Sequence, residues 1–277
     1  MSAKDIIQAF PIPASGGILN VIDKEACEKA VAQILDGGEK TLRELVDLIV
    51  EPGTGNDVQA RHALHATAIR VGGPNKAKQR KAFAKALAGT LSDKRHKAVK
   101  GFILRQLQIC GGKEQAGSMA PFLTDGEEHL YEYAAQALEA IGPATTEHFR
   151  KAYPKAEGAP RLTVLQGLGF LRDAQSAKIF RSAAKEKDLE IRLAGLWGLM
   201  RITSAEDIQL LLDTAAKEEG WGRIKATGYC LQLAEALAAA GKKKEAAGLY
   251  ESLKKNRTSK NESHVRLACE KGLANLK

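Results

Sequence analysis

"DLEIRLAGLWGLMRIT", residues 188 to 203, decides the fold. A charged turn leads into an apolar segment that halts at Thr203. "EHLYEYAAQALEAIG" (128 to 142) has the same rhythm. So do "RHALHATAIRVGG" (61 to 73), "KGFILRQLQICGG" (100 to 112), "LTVLQGLGFLRD" (162 to 173) and "RLACEKGLANLK" (266 to 277). The halts at 111, 142, 173 and 203 are 31, 31 and 30 residues apart. A fixed period of this size is the mark of a repeat array. A glycine after each helix is expected to supply a left-handed cap, and Pro74 and Pro143 forbid continuation.

Each unit also holds an earlier helical segment. These are "KTLRELVDLIV" (40 to 50), "KQRKAFAKALAGTL" (78 to 91), "KEQAGSMAPFL" (113 to 123), "TTEHFRKAY" (145 to 153), "AQSAKIFRSAAK" (174 to 185) and "AEDIQLLLDTAAK" (205 to 217). A unit is therefore a helix, a short polar turn and a second helix. Neither helix can bury its apolar face alone, so neighbouring units must stack. The expected fold is all-α, an α-α superhelix of about six to seven hairpins. Residues 1–38 form an N-terminal segment and capping helix, 39–241 the array, and 242–277 a capping hairpin of tetratricopeptide type around Tyr250.

Count each second helix from Arg61, Lys100, Tyr131, Leu162, Arg192 or Arg266. Positions +2, +3, +6, +7 and +10 are then mostly small or apolar, as in Ala194, Gly195, Gly198, Leu199 and Ile202. That is helical spacing and predicts the packed stripe. Positions +1, +5 and +8 fall on the opposite side. Trp197 is at +5, with Phe170 and Met200 at +8 of two units. Trp221 and Tyr229 belong to the next. A presented patch of Phe170, Trp197, Met200, Arg201, Trp221 and Tyr229 is the expected partner-binding site.

Composition bounds the rest. Hydrophobic residues are 44% and charged residues 27%, so the chain is expected to fold into a soluble globule. Aromatics are only 5%, while helix formers abound, which favours helix over strand. No apolar run reaches the ~20 residues of a membrane span, and the N-terminus lacks the apolar core of a signal peptide, so the cytoplasm is expected. Cys27, Cys110, Cys230 and Cys269 are far apart and read as small hydrophobes in a reducing compartment.

Of the net charge of +9, much is clustered. Residues 74–100 hold nine basic side chains against Asp93 alone, and 242–260 hold seven against two acids. Such clusters can attract polyanions. Lys94, Arg95, Lys97, Lys100 and Arg105 are the candidates for that role. His62 and His65 share a helix side, but no third metal ligand accompanies them. "GGPNKAKQRK" (72 to 81) departs from the phosphate-binding loop pattern, and no catalytic motif is present. No cofactor or metal is expected.

D-x-x-x-R followed by a small, leucine-rich helix, as in "DLEIRLAGLWGLMRIT" and "NDVQARHALHATAIRVGG" (56 to 73), resembles HEAT repeats of the short bacterial kind first noted in phycobilisome lyases. The resemblance covers roughly residues 39 to 277. It implies a ladder of charges along the stack, here Asp57 with Arg61 and Asp188 with Arg192; Lys100 and Tyr131 depart from it. It also implies a concave wall made by second helices. The function it implies is a non-catalytic scaffold that binds a protein or peptide. Binding of nucleic acid or another polyanion is the alternative, and a HEAT-like enzyme such as a DNA glycosylase or phycobilin lyase is the third reading, by analogy of fold alone.

Overall fold

The computed structural model describes residues 1–12 and 22–276. These residues are helical throughout, with no strand among them. They cluster into two compact units, Met1–Pro160 and Arg161–Lys277. No helix of the described residues is long and apolar enough to cross a membrane.

In the first unit, α1 (Ala3–Ile6) and α2 (Lys24–Asp36) precede α3 (Gly38–Asp47) and α4 (Val58–Gly72). Then come α5 (Ala77–Gly89) with α6 (Lys97–Cys110), α7 (Ala116–Met119) with α8 (Leu130–Ile141), and α9 (Thr146–Ala152). First helices pack on first helices, α3 on α5, and second on second, α4 on α6 and α6 on α8. This is the stacking that a 31-residue period predicts. The stretch 113–123, expected as one helix, is instead α7 between two 3₁₀ turns. Pro121 sits at the start of the second, where a missing N–H prevents an α-helical bond to the previous turn.

The second unit starts within α10 (Gly158–Phe170). It continues through α11 (Ala177–Ala183), α12 (Leu189–Arg201), α13 (Ile208–Lys217), α14 (Gly220–Ala239), α15 (Lys243–Asn256) and α16 (Ser263–Asn275). The 20-residue α14 is a second helix that the sequence pattern hid. Both its ends are apolar on several sides, so no single stripe marks it.

The packed stripe is as expected in α4. Ala63, Leu64, Thr67, Ala68 and Val71 are all buried. In α12 the same positions include two glycines, and each is a close approach. A β-carbon on Gly195 would lie 2.5 Å from the Ala184 backbone nitrogen, and one on Gly198 2.3 Å from the Phe180 ring. Small residues here let α11 and α12 touch backbone to backbone.

The caps differ from expectation. Of the three glycine stops, Gly142 is left-handed at φ 98°, whereas Gly73 and Gly111 have ordinary negative φ. Gly111 is needed for room, since a β-carbon would fall 2.5 Å from the Leu107 carbonyl oxygen. The left-handed caps of α10 and α12 are Arg172 (φ 53°) and Thr203 (φ 55°). At each, the next N–H reaches back five residues, Asp173 to Leu168 at 3.0 Å and Ser204 to Leu199 at 3.1 Å. That bond satisfies a carbonyl the helix end leaves free.

An arginine is the fourth residue of five second helices: Arg61, Arg161, Arg192, Arg223 and Arg266. The register of α10 therefore starts at Arg161, one residue before the Leu162 chosen from sequence. These side chains knit turns together. Arg192 donates to the Glu186 and Lys187 carbonyls at 2.7 and 2.9 Å, and to the Glu218 carboxylate in the following turn. Arg223 does the same with the Ala216 carbonyl (3.3 Å) and Glu262 (2.7 Å). Arg161 reaches Glu186 at 3.0 Å. Arg61 pairs with Asp57 at 2.8 Å, as expected. Asp188 does not pair with Arg192; it caps α12 by accepting from the Ile191 N–H at 2.9 Å. Its short side chain suits the cap, and Glu218 supplies the charge from the next hairpin.

Arg192→Ala and Glu218→Gln, made singly and together, should show a coupling of about 1–3 kcal/mol in urea unfolding. Additive losses would mean that the ladder contributes no pairwise stability. Gly195→Ala should cost roughly 1–3 kcal/mol by overpacking. Gly228→Ala, in mid-helix with nothing within 4 Å of the added carbon, should gain about 0.5–1 kcal/mol.

Candidate functional site

Among the described residues, the large aromatic side chains that stand exposed, Phe170 and Trp221, both belong to the second unit. Trp197 is half-buried. Its ring lies against Gly169 of α10, where a β-carbon would come within 2.6 Å of the ring. The Arg201 guanidinium stands 5.6 Å from the ring centroid. Arg201 also donates to the Gly169 and Phe170 carbonyls at 3.3 and 3.2 Å, closing the end of α10. Trp197 is thus a wedge between α10 and α12 with one part left open.

The patch expected from sequence is only partly assembled. Phe170 is 52% exposed and Trp221 58% exposed. Tyr229 is half-buried, and burial raises its hydroxyl pKa, with the Glu190 carboxylate adding to the rise. Met200 is 7% exposed and Leu193 3%, so neither is presented. The reason is packing: α11 and α14 both lie against α12, so it has no free side at those positions.

Sequence reasoning missed Ile224 and Leu267, which are 66% and 53% exposed. Each follows the ladder arginine of its helix, Arg223 or Arg266. The signal was available, because Arg223 lies 31 residues after Arg192. On α14, Trp221, Ile224, Lys225 and Gly228 fall at helical spacing along one side. The Lys225 ammonium lies 4.7 Å from the Trp221 ring centroid.

The five expected polyanion contacts lie in the first unit, and two are already committed. Arg95 donates to Asp47 at 2.6 Å and Asp93 at 3.1 Å. Lys97 binds Asp125 at 2.8 Å and Glu127 at 2.9 Å. Hydrogen bonds to these two carboxylates raise its pKa. Asp47, Asp125 and Glu127 come from outside the basic run, where a count along the run cannot see them. Lys100 lies 5.8 Å from the Phe122 ring centroid and Lys94 is exposed. Arg105 is exposed, 5.8 Å from the Tyr133 ring centroid. In the second basic run, Arg257 is 2% exposed and donates to the Ala215 carbonyl and Thr227 hydroxyl, each at 2.9 Å.

His65 Nδ1 is 2.8 Å from Gln106 Oε1, and His62 stacks on Phe10 at 5.1 Å between centroids. Among the described residues no group of three ligating side chains could hold a metal ion. Cys110 and Cys230 are buried, and burial pushes both thiols up to about 12.

Glu139 is half-buried on α8, and burial pushes its carboxyl up to about 7. The folded state therefore holds its proton more tightly than the unfolded chain, and stability falls as pH rises from the ordinary carboxylate value to about 7. Glu139→Gln should accordingly raise the Tm at about pH 8 and change it little at about pH 4. An equal shift at both would show that burial does not control this group.

A family model for HEAT repeats matches residues 146–232. Among solved structures, an engineered protein is 16% identical over 99% of this chain and 78% of its own, with a TM-score of 0.47. The complex of CpcE and CpcF of phycocyanin lyase from Nostoc sp. PCC7120 is 18% identical over 95% of this chain and 98% of that one, TM-score 0.44. An archaeal HEAT-like repeats protein from Thermococcus onnurineus NA1 is 12% identical over 100% and 97%, TM-score 0.40. No curated protein matches the chain.

Proposed function

We propose that the protein is a non-catalytic scaffold that binds a protein or peptide partner through the second-helix face of its second unit. The observation that carries this reading is the exposure of large apolar side chains along the second helices α14 and α16 and at the end of α10. Trp221, Ile224 and Leu267 are each more than half exposed, and Phe170 joins them. Soluble chains usually keep such groups covered, and a cluster of them marks an interaction surface. HEAT repeats match this part of the chain. Trp197 and Arg201 support the patch more than they lead it, since Gly169 and the α10 carbonyls already hold them. Tyr229 contributes its open edge.

A polyanion partner fits less well. Arg95, Lys97 and Arg257 give their charge to acids and carbonyls within the fold. The net positive charge is therefore less available than its count implies.

The test uses a photo-crosslinking residue in place of Ile224 and, as control, of exposed Lys178 on α11. A discrete adduct in host lysate should form from position 224 and not from 178. With the partner identified, Trp221→Ala with Ile224→Ala should weaken binding by ~2 kcal/mol or more at unchanged Tm. Equal adducts from both positions, or unchanged affinity, would overturn the reading.

A further inference from the structure

We infer that a second site lies in the first unit, in the groove between α4 and α6, and that it receives a short acidic peptide segment. The groove has a volume of about 480 Å³. Its basic lining comes from Arg61, His62, His65 and Arg105, and no carboxylate lines it. Arg105 is the free charge. It is exposed, and among the described residues it makes no ion pair, in contrast to Arg95 and Lys97. Arg61 spends part of its charge on Asp57. The two histidines and the amides of Gln106 and Gln108 add hydrogen-bonding groups beside the guanidinium.

The chemistry selects among anions. A guanidinium grips a carboxylate in a two-pronged geometry. Ile109 supplies apolar wall next to it, suited to an aliphatic side chain adjoining the acid. A single-stranded nucleic acid needs open aromatic faces on which bases stack. Both aromatics nearby are covered by arginines, Phe102 by Arg61 at 4.8 Å and Tyr133 by Arg105 at 5.8 Å. A long polyphosphate needs a continuous positive track. The track ends at α8, whose Glu132 and Glu139 stand at the register positions that His62 and Gln108 hold on α4 and α6. A cationic groove bounded by acids fits a segment with a few carboxylates and an apolar residue, in a length of a few residues.

The probe is a fluorescein-labelled peptide Gly-Glu-Leu-Glu-Asp-Leu-Gly, titrated by anisotropy against the full chain. A peptide with lysine at each acidic position and a short single-stranded DNA serve as comparisons. Arg105→Glu tests the site. Arg70→Glu, an exposed charge reversal outside the groove lining, makes the same change in net charge elsewhere. The expected result is that the acidic peptide binds, the lysine peptide does not, and DNA competes poorly. Arg105→Glu should weaken the peptide by about tenfold or more, with Arg70→Glu near wild type. Both variants lie on exposed side chains, and a thermal melt verifies that each stays folded. Absence of peptide binding, equal loss in the two variants, or tighter binding of the DNA would each overturn the proposal. None of these outcomes bears on the apolar face of the second unit.

Discussion

A guanidinium at the fourth residue of a second helix is the contact from which the second unit is organised. A helical hairpin leaves carbonyls free in its turn, where neither helix supplies an N–H. Arg192 and Arg223 satisfy such carbonyls in their own hairpin and bind a carboxylate in the next. Position and orientation of the following turn are thereby set by a charged, two-ended strut. Arg161 to Glu186, Arg192 to Glu218 and Arg223 to Glu262 repeat the connection. Partial burial makes these bonds stronger than the same pairs would be in open water.

The strut works together with missing side chains. Gly195 brings α11 and α12 to backbone contact, Gly198 makes room for the Phe180 ring, and Gly169 makes room for the Trp197 ring. Close packing at one face of α12 leaves its other faces to α14, so the helix is enclosed and Met200 is covered. α14 has no such cover along Trp221 and Ile224. Exposure in this unit is a result of which hairpin has a neighbour on a given side, and not of which residue is apolar.

Charge follows the same logic in the first unit. Arg95 and Lys97 are drawn to acids 48 and 28 residues away. Lys78, Lys81, Lys85 and Lys94 stay exposed on the same run, and Arg105 stands with two histidines over α4 and α6. An excess of lysine and arginine along a run describes the unfolded chain, whereas a binding partner meets only the charges that folding leaves unpaired.

The sequence by itself determined the helical class, the hairpin period and the packed stripe. Each of these rests on neighbours within one or two turns, and the 3.6-residue period writes them directly into the order of side chains. It resembled a family whose charge ladder implied Asp57 with Arg61, and that pair forms. It misplaced the register of α10 by one residue and hid α14. In both, apolar residues surround the helix and no stripe stands out. Only the tertiary structure decided that Arg192 pairs with Glu218 rather than Asp188, that Met200 is covered, and that Ile224 and Leu267 are open. The physical reason is the same for all of these. A side chain's partner or cover comes from an element tens of residues away, and burial and charge pairing depend on distances that sequence order does not contain.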